Sequence, residues 1–239
     1  MSTASATPTI VLVHGAFADS ASWNGVIEVL RAQGYSVLAA ANPLRGLDSD
    51  AAYIGSVLDD IDGPIVLVGH SYGGSVISIA AAGKTDVTAL VYIAAFIPAE
   101  GESALELTDK FPGSTLGPTT RSAQYPLPGG GTATELYIRQ DEFPAQFAGD
   151  VPAPAAELMA ITQRPVALAA LQEPAAAAAW RTIPAFAMLT TGDKNIPIEA
   201  QRFMAERAAA ATVEVAGSHA ISVSEPAAVA ELIISAAKK

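Results

Sequence analysis

Gly69-His70-Ser71-Tyr72-Gly73 sets a serine between two glycines, each one residue removed from it. The apolar run Ile65-Val66-Leu67-Val68 precedes it and a helical pattern follows. In a strand–turn–helix setting this spacing makes a turn so sharp that a Cβ at position 69 or 73 would strike neighbouring backbone. The serine is forced into a strained conformation that lifts its hydroxyl out at the carboxyl end of a sheet. A helix starting at Tyr72 aims its N-terminus at the same place and favours negative charge developing there. Five residues of this pattern also occur in plain strand–helix turns and in phosphate-binding turns, so the strand before and the helix after carry the reading.

A serine hydroxyl is a poor nucleophile without a base, and the chain has only three histidines. His219, in Gly217-Ser218-His219-Ala220, follows the last predicted strand and reaches the same sheet edge. His70 adjoins the serine, so its side chain points away from the hydroxyl. His14 ends the first predicted strand and reads as a partly buried brace for the next loop. The base needs a carboxylate to fix its tautomer and stabilise the imidazolium. Asp193, in Thr191-Gly192-Asp193-Lys194, directly follows a predicted strand and falls between Ser71 and His219 in chain order. Glu199, Asp86 and Glu100 are its rivals, and a helix-capping Asp before Pro197 is the competing role. An oxyanion developing on the attacked carbonyl needs two N–H donors. Tyr72 supplies one backbone N–H, and Ala16 is the expected source of the other, with Gly15 letting the chain turn there.

These residues need a scaffold that brings them to one edge. Continuous apolar runs occur over 9–14, 36–41, 64–69, 88–95, 185–191 and 211–216. Such runs suit parallel strands covered on both faces. Helical patterns fill the gaps: one capped by Ser20 or Ser22 and ending at Gly34, then 48–61, 72–82, 197–210, and a last one opening at Ser224 and Pro226. The alternation predicts an α/β fold of about six parallel strands flanked by helices. Residues 1–97 and 181–239 form the core, and 98–180 an inserted, mostly helical cap. Within the cap, 111–131 reads as irregular and mobile, and helical patterns are expected over 134–147, 153–163 and 165–171.

Composition removes whole classes of function. Without cysteine there is no disulfide framework, no thiolate nucleophile and no cysteine-held metal. Twenty-four acidic against 13 basic residues, a net charge of −11, is the opposite of a nucleic-acid binder's footprint. Charges interrupt every long apolar stretch, so no membrane partner is expected. The opening residues show no basic region ahead of an apolar run, so a cytoplasmic protein is expected. Neither a metal nor a cofactor is required, and a homodimer is compatible with the sequence.

HGAF at 14–17, GHSYGG at 69–74, TGDKNIP at 191–197 and GSH at 217–219 together resemble the α/β-hydrolase superfamily. The short N-terminus is similar to the compact branch of plant methyl esterases, hydroxynitrile lyases and small bacterial esterases. The resemblance implies catalytic Ser71, Asp193 and His219, with the amides of Ala16 and Tyr72 binding the oxyanion. The lyases of that branch carry Thr after the strand-ending His and Lys after the catalytic His. Here those positions are Gly15 and Ala220, which points to esterase chemistry on a small or medium, largely apolar ester. Cofactor-free haloperoxidase, perhydrolase or lactonase activity on the same residues is the alternative, and a non-catalytic ligand binder a more distant one. Phe17, Phe96, Tyr125, Tyr137, Phe143, Phe147 and Met159 are the candidate pocket residues, each with core packing as its competing role.

Overall fold

The computed structural model describes residues 7–239; the opening residues, on which the expectation about a leader partly rests, lie outside that range. The chain begins β1 (Thr9–Val13), α1 (Asn24–Ala32), β2 (Val37–Ala40), α2 (Leu47–Asp59), β3 (Ile65–His70), α3 (Tyr72–Ala80) and β4 (Val87–Ile93). A long excursion follows, with α4 (Ala104–Asp109), α5 (Leu116–Thr119), β5 (Thr120–Pro126), β6 (Thr132–Ile138), α6 (Phe143–Phe147), α7 (Ala153–Thr162), β7 (Val166–Ala167) and α8 (Leu168–Gln172). The chain then returns through β8 (Ala185–Thr190), α9 (Ile198–Arg207), β9 (Ala211–Val215), α10 (Ile221–Ser224) and α11 (Pro226–Ala237).

Six parallel strands form the central sheet in the order β2-β1-β3-β4-β8-β9. Period-two alternation sends successive side chains to opposite faces. Val11, Val13, Leu67, Leu90, Tyr92 and Leu189 pack on one face, while Ile10, Leu12, Val66, Val91, Phe186 and Met188 pack on the other. Burial on both faces explains why these strands read as unbroken apolar runs. The expectation of a buried strand over 211–216 is corrected: β9 is the exposed edge, and Glu214 on it pairs with Arg202 of α9. The chain leaves β1 for β2 on one side and returns to β3 on the other. The crevice at such a strand-order reversal, at the carboxyl ends, is where open α/β sheets bind ligands.

Residues 111–131 are not irregular throughout, and 134–147 is not one helix. β5 and β6 form an antiparallel hairpin from Thr120↔Ile138 to Pro126↔Thr132, joined by β7. Gly129, Gly130 and Gly131 all take positive φ in its turn. Cross-strand pairs hold it: Arg121 lies over the Tyr137 ring at 4.2 Å and Gln124 donates to Thr134 at 2.9 Å. Neither face of β5 is strongly apolar, so alternation gave no signal there. Glu135 of β6 is buried and meets Arg45 at 2.6 Å, docking the hairpin on the loop before α2.

The two ends of the excursion meet where Trp180 Nε1–H donates to the carbonyl of Pro98 at 2.7 Å in a buried setting. Trp180→Phe removes the donor and leaves that carbonyl unpaired. The urea midpoint should fall by an amount worth about 1–3 kcal/mol; an unchanged midpoint would show that this bond does not tie the excursion down.

Candidate active site

Ser71 sits between β3 and α3 with φ 54° and ψ −125°. An L-residue in this region is strained by about 1–3 kcal/mol, and the surrounding structure must hold it there. Ser71 N–H donates to the carbonyl of Ile93, and the Ser71 carbonyl accepts from Gly74 and Phe96 N–H. The two flanking glycines are required by space. A Cβ on Gly69 would lie 2.6 Å from the Gly73 carbonyl oxygen, and one on Gly73 would lie 2.5 Å from that of Val13.

His219 stands between the serine and Asp193. Its Nε2 lies 2.8 Å from Ser71 Oγ and its Nδ1 lies 2.7 Å from Asp193 Oδ2. The carboxylate can only accept, so Nδ1 carries the hydrogen and Nε2 is free to take one from the serine. Asp193 follows β8 and accepts from five donors: His219 Nδ1, the amides of Asn195 and Ile196, Thr190 Oγ1 and Gln201 Nε2. The last four fix the carboxylate independently of the imidazole. Glu199 instead pairs with Arg202 on the surface, and Asp86 and Glu100 are exposed, Asp86 at the amino end of β4.

The other two histidines are structural partners of the site. His14 is fully buried rather than partly so. Its Nδ1–H donates to the Gly15 carbonyl, and its Nε2 accepts from Asn42 N–H at 3.0 Å. Burial lowers its pKa. His70 points away from Ser71 Oγ and donates from Nε2 to the carbonyl of His219 at 2.8 Å. Burial, reinforced by the nearby His219 ring, holds its pKa well below the usual value.

Ala16 and Tyr72 both line the cavity that opens onto Ser71 and His219. As the first residue of α3, Tyr72 has no intrahelical partner for its amide. On the opposing loop, the Phe17 amide is committed to the Arg164 carbonyl at 3.1 Å, whereas Ala16 lines the cavity beside Ser71. Gly15 serves close approach more than turning: a Cβ there would fall 2.5 Å from that of Ser71. The Tyr72 ring is buried and its hydroxyl donates to Asp50 at 2.9 Å; burial raises the pKa of both groups.

The cavity has a volume of about 290 Å³, and of the candidate pocket residues Phe17 and Phe96 line it. The remaining five lie elsewhere. Tyr125 stacks under Arg45 and Tyr137 under Arg121 on the hairpin. Phe143 and Phe147 are fully buried and stacked at 4.8 Å, with Phe147 edge-on to the His219 ring. Met159 lines a separate cleft between α7 and the loop after β1. Aliphatic side chains complete the lining of the cavity: Leu105, Leu116, Leu136, Leu168, Leu171 and Ile196. Residue type alone does not separate such leucines from core, so the sequence carried no signal for them. Asp109 brings a carboxylate to the rim. Among the described residues, no group of three or more His, Asp or Glu is arranged to hold a metal ion, and no helix is long and apolar enough to cross a membrane.

Residues 10–232 match the alpha/beta hydrolase family. A pyrethroid hydrolase from Sphingobium wenxiniae is 29% identical over 243 residues, spanning 94% of this chain and 85% of that protein. The crystal structure of a pyrethroid hydrolase from Sphingobium faniae JZ-2 is similar with a TM-score of 0.77 at 25% identity, covering 97% of both chains. Polyneuridine aldehyde esterase shares the fold with a TM-score of 0.83 at 19% identity, covering 96% of this chain and 99% of that one.

Burial lowers the pKa of His14 and holds that of His70 well below 6.5, the ordinary value that each takes when unfolded. Protonation therefore favours the unfolded chain, so the stability they carry is full above that value and is lost as pH falls below it. The lowered carboxyls of Glu102 and Asp150 act only in a more acidic window. Tm should fall between about pH 7.5 and about pH 5, and less steeply in His70→Gln. Calorimetry giving equal slopes for the two proteins would exclude His70 as a contributor.

Proposed function

The chain belongs to the alpha/beta hydrolase family, and we propose that it is a carboxylic-ester hydrolase working through an acyl-enzyme on Ser71. The observation that carries this reading is the continuous hydrogen-bonded series from Asp193 through His219 to Ser71 Oγ, at 2.7 and 2.8 Å. Similarity to a pyrethroid hydrolase over nearly the whole chain supports hydrolytic chemistry.

Ser71 Oγ attacks the ester carbonyl carbon while His219 Nε2 takes its proton. The Nδ1–H of the resulting imidazolium stays on the Asp193 carboxylate, which stabilises the new charge. The carbonyl oxygen, now an oxyanion, is held by the N–H groups of Ala16 and Tyr72. The start of α3 adds its dipole. Collapse breaks the bond to the alcohol oxygen, which leaves with the proton from His219. Water then attacks the acyl–Ser71 bond as His219 takes one of its protons, and the acid departs as Ser71 Oγ is reprotonated. No lysine follows His219 to hold a departing anion; Ala220 is there instead and is buried.

The cavity supports a small or medium, largely apolar substrate. Its volume is at the low end for ligand sites, and its walls are mostly Leu, Ile and Phe. The rim carboxylate of Asp109 disfavours anionic acyl groups.

Ser71→Ala should lower kcat/KM on a p-nitrophenyl ester by more than about 10³-fold without unfolding the protein. It should also abolish labelling by a fluorophosphonate probe. Across a p-nitrophenyl ester series, kcat/KM should peak at short to medium acyl chains and fall for long ones. Retained turnover in Ser71→Ala would sink the serine assignment, and a peak at long chains would sink the size assignment.

A further inference from the structure

Three consecutive residues of the loop carrying the base are held through their main chain by groups outside it. Ser218 N–H donates to Asp150 Oδ2 at 2.8 Å, the His219 carbonyl accepts from His70 at 2.8 Å, and Ala220 N–H donates to the Phe147 carbonyl at 3.1 Å. Asp150 accepts further from Ser218 Oγ, and from Ser224 Oγ at 3.0 Å. Two of the three anchors, Phe147 and Asp150, therefore come from α6 and the turn after it, in the excursion and not in the sheet core.

The same short segment reaches the acid. Gln146 is buried, and its Nε2 donates to the Lys194 carbonyl at 2.9 Å and to Asn195 Oδ1 at 2.7 Å. Asn195 N–H in turn donates to Asp193 Oδ1 at 2.7 Å. Residues 143–150 thus touch both the Asp193 loop and the His219 loop. The two loops leave the paired neighbouring strands β8 and β9 and are joined at their base by Gly192 N–H donating to the Gly217 carbonyl at 3.0 Å; past that bond, residues 143–150 make further contacts to both.

We propose that residues 143–150 are a clamp that sets the register of Asp193 against His219, and that Asp150 is the positioning residue for the base. The proposal rests on the Ser71 reading given above. Asp150 touches neither the serine nor the cavity, so it acts through Ser218. A carboxylate suits that place, because all three of its contacts are donors. Although its partial burial works the other way, the hydrogen bonds from Ser218 hold its carboxyl below the usual range. The charged or titratable groups around the base are Asp193 on Nδ1, the His70 ring at 4.7 Å and Asp150 through Ser218. A displacement of about 1 Å in such a pair is enough to cost up to about a hundredfold in rate.

The test is Asp150→Asn in the full chain. It keeps the side-chain size and replaces one acceptor oxygen by an N–H donor, so that either Ser218 N–H loses its acceptor or the Ser218 hydroxyl must turn its hydrogen away. We expect kcat to fall about tenfold with KM within about twofold. The acid limb of the kcat/KM profile should move to lower pH, because a misaligned imidazolium loses part of its stabilisation by Asp193. A purely structural role would lower the fraction of titratable Ser71 equally at every pH and leave the limb in place; that outcome, or wild-type kcat, overturns the clamp. Gln146→Leu should act in the same direction and combine with Asp150→Asn less than multiplicatively. If Asp150→Asn fails to fold, Ser218→Ala removes the hydroxyl's bonds to Asp150 and from Ala220 N–H while keeping the main-chain bond to Asp150, and must still lower kcat and move the limb; wild-type behaviour there overturns the proposal. Ser71→Ala, assayed alongside, separates the two failures. Turnover without Ser71 defeats the serine reading and the clamp together. Loss of turnover there, with wild-type behaviour in Asp150→Asn, defeats the clamp alone.

Discussion

Ser71 is held at positive φ between a strand and a helix, and the residues around it are selected by that conformation. The strain is tolerated because both peptide groups of the serine are hydrogen-bonded, to Ile93 on one side and to Gly74 and Phe96 on the other. The same backbone path brings Gly69 and Gly73 so near neighbouring carbonyls that neither can carry a Cβ. Gly15 repeats the requirement from the loop after the adjacent strand, which passes so close to Ser71 that a Cβ there would collide with it, as the proposed oxyanion hole needs. Three glycines, two strands and one helix are thereby tied to the placement of a single hydroxyl.

Burial then determines how the rest of the site is built. His219 and Asp193 are almost completely removed from water, where an unpaired polar group is costly. Asp193 meets that constraint with five donors, four of them independent of His219. His219 meets it with the carboxylate on one nitrogen, the serine on the other, and His70 on its carbonyl. His70 and His14 are themselves kept neutral by burial, so the neighbourhood of the base adds no second cation. The chemistry proposed for the pair depends on this dry, fully bonded setting, in which charge appearing on the imidazole is met by groups already in place.

The excursion between β4 and β8 contributes in two different ways. Its aliphatic residues make the cavity wall and so bear on which acyl groups fit. Its α6 region contacts the acid and base loops and so bears on how well the pair is aligned. The hairpin carries part of this wall and is fastened to the rest of the chain by the Arg45–Glu135 ion pair and by burial of Ile138 in the core.

Strong local signals made the sheet legible in the sequence. Strands buried on both faces must be continuously apolar, and the turn at Ser71 demands glycines at fixed offsets, so β1, β3, β4, β8 and the serine could be read without coordinates. Chain order further singled out Asp193 and His219. The β5–β6 hairpin was not legible, because a half-exposed pair of strands rich in Thr, Ser and Gln has no apolar period to read. The cavity wall was misread in favour of aromatics: Phe143 and Phe147 have the right type, yet tertiary packing turned them into support for His219. Asp150 and Gln146 gave no signal at all. Their partners lie 68 and about 49 residues away, and contacts between such distant segments are decided only when the excursion folds back over the sheet. The sequence by itself determined the serine's turn and the scaffold that presents it, since a sharp turn needs glycines at fixed offsets and doubly covered strands are continuously apolar, and its chain order pointed to His219; the wall of the cavity and the contacts of residues 143–150 were decided by tertiary structure, since they follow from which distant segments meet.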